Sequence, residues 1–364
     1  MGTRPEIIKM APVYHALRAH GAFRTEVCLT GQHRELADSM MSFFEVPADR
    51  NLDVMTRGQG LSELTSRVLL GMSDALRSSR PDLLLVQGDT TTVMASALAA
   101  FYLGIPVGHV EAGLRTWNLR NPFPEELNRW VADAVSTLHF APTPAARDAL
   151  VRNGITAESV TVTGNTVIDA LFLTLRKLQG QPFKALNLAE MPRMLLLTTH
   201  RRESFGDPMR NTFRAISALI QKYPDLHVVF PVHPNPNVQE AMTAALVADD
   251  RVHLLPPQSY PEFVKLMRDS HLILTDSGGV QEEAPSLGKP VLVLRETTER
   301  PEGVSAGTAK LVGTASDQIV REASRLLEEP RAYARMATAV NPYGDGQASG
   351  RIVETISQYL LDDS

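Results

Sequence analysis

Two successive doubly wound parallel α/β sheets, facing one another across a cleft, are the fold class this sequence predicts. Three observations carry it. Short runs rich in Val, Ile and Leu alternate with helical patterns from end to end, as buried parallel strands and their crossover helices do. The chain has 364 residues, enough for two cores at roughly 100 to 200 residues each. A weakly periodic stretch at 176–192, punctuated by Gly180, Pro182 and Pro192, divides the pattern.

In the first half, strands are expected at 25–30, 82–87, 106–110, 138–141 and 159–163, with helices including 92–102, 125–136 and 143–152. The last of these helices opens on Pro142-Thr143-Pro144, with Thr143 as N-cap and Pro144 at the first helical position. Strands recur at 194–199, 226–232, 252–255, 272–275 and 290–294. The domains expected are a Rossmann-like 1–175, a second Rossmann-like 190–345, and a helix in 346–364. Ile352, Val353, Ile356 and Leu360 give that helix an apolar face suited to packing back on the first domain.

Composition narrows the function. With 36 Lys and Arg against 41 Asp and Glu, the net charge of -5 offers no basic excess for nucleic acid. Cys28 is the single cysteine, in the apolar run Val27-Cys28-Leu29, and reads as a buried thiol with no disulfide or Cys-based zinc site. Arg4, Glu6 and Lys9 interrupt the first ten residues, and the apolar stretch 93–110 is broken by Gly104 and Pro106. Neither a secretory signal nor a membrane span is expected, and the location expected is the cytoplasm.

Ligands of open α/β sheets bind beyond the carboxyl ends of strands, so loops there are the candidates. Thr275-Asp276-Ser277-Gly278-Gly279 follows a strand and enters a helix. Ser277, Gly278 and Gly279 leave backbone N–H groups open to a diphosphate, and Glu283 lies one turn on, placed for ribose hydroxyls. The plainer reading is a capped helix with Ser277 as N-cap. At the other end of the chain, Arg4 and Lys9 offer a guanidinium and an ammonium to phosphate, or are simply surface charges. Arg300, in the charged loop 295–303, is placed to close over a diphosphate or sugar, although such loops are commonly just solvated.

Asp89, Glu111 and Glu125 fall at strand ends or loop starts in the first half. Carboxylates so placed suit acid and base work, because neighbours push their pKa values apart; one alone is usually a helix cap. His200 and His233 each follow a strand of the second half. No His spacing reads as a zinc helix, no Asp-x-Asp pair is present, and no Gly-x-Gly-x-x-Gly follows a strand. No metal and no cofactor are expected.

The loops in order are GTRPEIIKMAP at 2–12, TGQHRE at 30–35, QGDTTT at 87–92, HVEAGLRT at 109–116, PEELNR at 124–129 and TGNTVIDA at 163–170. THRRESFG at 199–206, PVHPNP at 231–236 and TDSGGVQEEAPSLGKPVLVLRETTERPEG at 275–303 follow. This set resembles the non-hydrolysing UDP-N-acetylglucosamine 2-epimerases over nearly the whole chain. The resemblance implies a glycosyltransferase-B type fold, a homodimer, and interconversion of UDP-N-acetylglucosamine and UDP-N-acetylmannosamine for cell-surface polysaccharide. It implies that Arg4, Lys9 and His233 face the substrate, and that Ser277, Gly278, Gly279, Glu283 and Arg300 hold UDP. Gln258 and Phe263 match the uracil-binding stretch. Asp89, Glu111, Glu125 and His200 match the catalytic group.

Two departures accompany the resemblance. The apolar first strand usual before GTRPE is replaced by Met1, so a sheet one strand short is expected. Bacterial members carry an allosteric substrate site; Gln32 and His33 match its first loop, but Glu35 and Arg57-Gly58-Gln59 depart from it, which argues against that regulation. Alternatives are a 2-epimerase for a modified sugar such as UDP-2,3-diacetamido-glucuronic acid, a glycosyltransferase of the same fold, a hydrolysing epimerase, and a non-enzymatic nucleotide-sugar binder.

Overall fold

Apolar runs that end on Gly or small polar residues fix where each strand stops, and those stops place the loops that matter. The computed structural model describes residues 1–31, 34–56, 58–179, 181–191, 193–201 and 204–361. Gln32, His33, Arg57, Gly180, Pro192, Arg202 and Glu203 therefore lie outside the described residues. The chain divides into two units, Met1–Ala170 with Tyr343–Ser364, and Leu171–Pro342.

The first unit opens with α1 (Arg4–His20), where the Thr3 side chain accepts the Glu6 N–H and Pro5 sits in the first turn. In order follow β1 (Cys28–Leu29), α2 (Arg34–Phe44), β2 (Arg50–Asn51), α3 (Leu61–Ser79), β3 (Leu84–Gln87), α4 (Thr91–Tyr102) and β4 (Val107–Val110). After these come α5 (Glu125–Val135), β5 (Leu138–Ala141), α6 (Pro144–Arg152), β6 (Val160–Val162) and α7 (Thr166–Lys177). The Thr143 cap on α6 forms as expected, its side chain accepting the Ala146 N–H. The division between the units falls inside α7, because that helix runs unbroken across Ala170 and Leu171.

Strands β3 to β6 make one parallel sheet in chain order, while β1 and β2 pair separately. Regular pairing at 25–30 is thus only two residues long, and β2 has too little apolar pattern to be read from sequence. Among the described residues no strand stands between β1 and β3. A cavity of about 710 Å³ lies there instead, lined by Val27 and Cys28 on one side, Leu84 and Val86 on the other, and Met10 and Val13 of α1. The Met1 amine donates to the Cys28 carbonyl at 2.8 Å and the Thr30 N–H donates to the Met1 carbonyl at 3.0 Å, a parallel-strand pattern confined to one residue.

The second unit is built from β7 (Arg193–Thr198), α8 (Asp207–Lys222), β8 (Leu226–Pro231), α9 (Pro236–Ala245), β9 (Val252–Leu255), α10 (Tyr260–Asp269) and β10 (Leu272–Thr275). It continues with α11 (Gly278–Glu283), β11 (Val291–Val293), α12 (Pro301–Ala306), β12 (Ala309–Leu311), α13 (Ser316–Glu328) and α14 (Pro330–Ala337). Its six strands are parallel in the order β9-β8-β7-β10-β11-β12. Phe213, Ile216 and Leu219 of α8 pack on Leu195, Leu197, Val228 and Leu274 of the sheet, all essentially inaccessible. Strand order reverses between β7 and β10, the switch point where such sheets bind nucleotides.

The chain then re-enters the first unit as α15 (Ala348–Leu361). The Asp169 carboxylate accepts the N–H groups of Ala348 at 3.2 Å and Ser349 at 2.8 Å, capping this helix. Ile352, Val353 and Ile356 bury against Met10, Val13 and Leu17 of α1, contributing about 1.5–3 kcal/mol each. No helix of the described residues is long and apolar enough to cross a membrane.

Candidate active site

In the first unit the carboxylates sit at the carboxyl ends of adjacent strands, and each is held by a cation from elsewhere in the sequence. Glu111 follows β4 with φ +66°, a left-handed conformation that costs a non-Gly residue about 1–3 kcal/mol and must be held by its surroundings. Its Oε2 accepts from Lys9 Nζ at 2.5 Å and from Gln87 Nε2 at 2.6 Å. Two residues on, Gly113 packs so closely that a Cβ would lie 2.3 Å from the Ala146 carbonyl oxygen, which pins the loop to α6.

Asp89 follows β3 through Gly88 and precedes Thr90, the N-cap of α4. Its Oδ2 accepts from Arg129 Nε at 3.0 Å and Nη2 at 2.7 Å, and its carbonyl accepts from Asn128 Nδ2 at 2.9 Å. Arg129 also donates through Nη1 to buried Glu126 at 2.9 Å. Glu125, one residue earlier, opens α5 and is half-buried. Arg4 opens α1 beside Glu6, whose Oε1 accepts the Thr90 hydroxyl at 2.9 Å and whose Oε2 accepts the Gly2 N–H at 2.6 Å. Glu6 thereby ties the loop carrying Arg4 to the loop carrying Asp89.

Beneath this array lies a buried ion network. His109 Nδ1 is 2.6 Å from Asp133 Oδ1, His109 Nε2 is 2.8 Å from the Gly88 carbonyl, and Arg115 Nη2 donates to Asp133 Oδ2 at 2.6 Å. Burial pulls the His109 pKa down, but the Asp133 carboxylate and the Gly88 carbonyl outweigh it and leave the imidazole above its ordinary value. Burial likewise raises Asp133, and His109 and Arg115 overturn that to leave it below the usual carboxylate range. His109, with one nitrogen on the Asp133 carboxylate and the other on the Gly88 carbonyl, ties the turn from which Asp89 projects to Asp133.

The second unit inverts these charges: here cations line the loops and carboxylates hold them. Ser277 N–H donates to Thr275 Oγ1 at 2.9 Å, while the Ser277 hydroxyl makes no capping bond. A Cβ at Gly278 would come within 3.7 Å of Arg201 Nη2 and 3.9 Å of the Arg300 guanidinium carbon, so both guanidinia converge on the face that the missing side chain leaves open. Arg300 Nε donates to buried Glu282, and Arg201 Nη1 donates to Glu299 at 3.3 Å. Burial raises the Glu299 pKa, but Arg201, Arg300 and Arg295 more than offset it and leave the carboxyl below its ordinary value.

Glu283 is buried, and its Oε2 accepts the Tyr260 hydroxyl at 2.7 Å. Burial, followed by the Glu283 charge, pushes the Tyr260 phenol well above its ordinary pKa, so it stays a donor. Phe263 lies half-buried on α10, and Gln258 precedes that helix with Nε2 donating to the Pro256 carbonyl at 2.6 Å. His200 and His233 stack at 5.5 Å with a 16° interplanar angle.

Asp89 and Glu111 lie on loops after strands of the first unit, Arg4 and Lys9 on α1 and Glu125 at the start of α5; in the second unit His200, His233 and Ser277 lie on loops, Gly278, Gly279 and Glu283 on α11, Phe263 on α10, and Gln258 and Arg300 just before α10 and α12. Arg129, Gln87, Glu126 and Arg201 were not singled out from sequence. The Glu126–Arg129 spacing of three residues on a helix was the one available signal; the other pairings join residues far apart in the chain. Among the described residues no group of three or more His, Cys, Asp or Glu side chains is arranged to hold a metal ion.

Comparison with known proteins bears on the whole chain. A family model described as UDP-N-acetylglucosamine 2-epimerase matches residues 15–357. The UDP-N-acetylglucosamine 2-epimerase of Bacillus subtilis is 51% identical over 355 residues, covering 98% of this chain and 93% of that protein. That of Yersinia pestis is 49% identical over 367 residues, covering 99% and 98%. The Neisseria meningitidis enzyme, solved with UDP-GlcNAc bound, superposes with a TM-score of 0.89 at 49% identity, covering 98% of each chain. The Methanocaldococcus jannaschii enzyme in complex with UDP-GlcNAc and UDP gives 0.80 at 34%, again covering 98% of each. With parallel α/β sheets in two units and this agreement along its length, the chain belongs to the UDP-N-acetylglucosamine 2-epimerase family of isomerases.

Proposed function

We propose that the enzyme interconverts UDP-N-acetylglucosamine and UDP-N-acetylmannosamine by eliminating UDP and adding it back. The C2 proton beside an N-acetyl group is too weakly acidic for simple abstraction, so its removal must be coupled to loss of a good leaving group. One carboxylate takes the C2 proton as the C1–O bond breaks, giving a 2-acetamidoglucal and UDP. The UDP oxygen then re-forms the C1–O bond while a proton is returned to C2 on the other face. Asp89, Glu111 and Glu125 supply the base and acid, with Glu111 held by Lys9 and Gln87 and Asp89 by Arg129.

The single observation that carries this reading is the pair of clamped carboxylates, Asp89 and Glu111, at the ends of adjacent paired strands. In the second unit, Ser277, Gly278, Gly279, Arg201 and Arg300 bind the diphosphate, Glu283 the ribose, and Gln258 and Phe263 the uracil. His200 stabilises the charge that develops on the departing diphosphate, with Arg4 and His233 as further substrate contacts. The product serves cell-surface polysaccharide synthesis, and the enzyme works in the cytoplasm as a homodimer.

Incubation with UDP-N-acetylglucosamine in heavy water tests the assignment. UDP-N-acetylmannosamine carrying deuterium at C2 is the expected product; free N-acetylmannosamine would mean a hydrolysing enzyme, and no C2 exchange would refute the reading. Asp89→Asn should abolish exchange, and near-wild-type activity would remove Asp89 from the catalytic set. Light scattering that returned the mass of one chain would refute the dimer.

A further inference from the structure

The most unusual buried group outside the sites above is Asp276, between β10 and α11. It is fully buried, and its two oxygens are treated very differently. Oδ2 accepts from Thr199 Oγ1 at 3.0 Å, His200 N at 2.8 Å, Arg201 N at 2.9 Å and Ser204 Oγ at 3.3 Å. Oδ1 is buried with no hydrogen-bond partner, and the nitrogen it faces is His200 Nδ1 at 3.4 Å. A buried carboxylate oxygen left without a donor is unfavourable, and such groups in native proteins call for an explanation.

We propose that Asp276 is the positioning residue for His200, its Oδ1 holding the imidazole Nδ1–H so that Nε2 is the atom presented to the diphosphate. The inference rests on the role given to His200 above and goes beyond it by assigning the tautomer and the group that sets it. A ring shift of about 0.5 Å brings the pair to the usual length of a charge-assisted hydrogen bond. Oδ2 alone already anchors the loop, so Oδ1 is spare for the imidazole. The same carboxylate favours the imidazolium once Nε2 carries a proton. His233 stacks on the ring, and Arg201, itself paired to Glu299, follows His200 in the chain. The Arg201 guanidinium opposes protonation of His200, and the Asp276 carboxylate promotes it.

The test is a ¹⁵N NMR titration of the histidines in the full-length enzyme without substrate, joined to steady-state kinetics. Wild type should show the Nδ1–H tautomer at His200. Asp276→Asn should lower the His200 titration midpoint by about one pH unit and reduce kcat roughly 100-fold with KM within about three-fold. It should also move the alkaline limb of the kcat profile downward by the same amount. Ser204→Ala, which removes a loop bond to Oδ2 but leaves Oδ1 alone, should leave the His200 midpoint in place. An unchanged midpoint in folded Asp276→Asn would overturn the proposal. Should that variant fail to fold, the wild-type spectrum decides: Nε2–H at His200 overturns the proposal and Nδ1–H supports it. His200→Gln separates the two readings, since full activity there refutes the catalytic role of His200 while the tautomer still judges Asp276.

Discussion

The two units solve opposite electrostatic problems on similar scaffolds. In the first, carboxylates stand at the strand ends and cations hold them: Lys9 on Glu111, Arg129 on Asp89. In the second, guanidinia converge beside Gly278 and carboxylates hold them: Glu282 on Arg300, Glu299 on Arg201. The scaffolds differ as well, since six strands form one continuous sheet in the second unit while the first is split around a cavity of about 710 Å³. Strand ends thus supply positions, and in the proposed reaction the partner of each charged group decides whether a position serves proton transfer or anion binding.

The largest expected effect comes from removing charge in the first unit without changing shape. Glu111→Gln keeps the Gln87 and Lys9 neighbours and should lower kcat by about 10²–10⁴, the range general acid–base catalysis supplies; single-turnover assays of C2 exchange would measure it. Next in size is loss of a holder's partner in the second unit. Arg300→Ala removes the guanidinium that donates to Glu282, 2% exposed, and loss of that charge-assisted bond should cost roughly 1.5–3 kcal/mol of stability. It should weaken UDP binding as well, and calorimetry on the folded fraction would register both. Arg300→Lys should recover part of the stability and less of the binding, because an ammonium lacks the planar fork.

The third effect is one of pH and belongs to the first unit. The folded-state pKa of His109 is raised above its ordinary 6.5, so its stabilisation is fully present below that value and is lost as pH rises through the raised one. Asp133, lowered from 3.8, stabilises above that value and loses its contribution as pH falls through the lowered one. Wild-type Tm should therefore fall more than that of His109→Gln as pH rises above about 6.5; equal slopes in the two proteins would dissociate His109 from stability. The smallest effect separates the scaffolds themselves. Amides of β1, beside the cavity, should exchange with solvent faster than those of β7 and β10 at the centre of the continuous sheet, by hydrogen-exchange mass spectrometry.

These contrasts also mark how far the residues speak for themselves before folding. Strands at 138–141, 252–255 and 272–275 and the helix 348–361 are legible because each is mostly apolar or carries an apolar face. Edge pieces are not: β2 and β12 span two and three residues and present no period. Asp89, Glu111 and the Ser277-Gly278-Gly279 loop are legible from their place after strands, since topology puts ligands there. Their holders are hidden, because Lys9 meets Glu111 across 102 positions and Arg201 meets Glu299 across 98. Ser277 occupies the N-cap position without making the cap bond, a distinction only geometry supplies.

Whether the C1–O bond breaks and re-forms is decided by positional isotope exchange. UDP-N-acetylglucosamine carrying ¹⁸O in the bridge between C1 and the β-phosphorus is incubated with the enzyme in heavy water and followed by ³¹P and ¹H NMR. Elimination predicts that the label spreads from the bridge into the non-bridging β-phosphate positions as deuterium enters C2. Epimerised product with all of its ¹⁸O still in the bridge would contradict it.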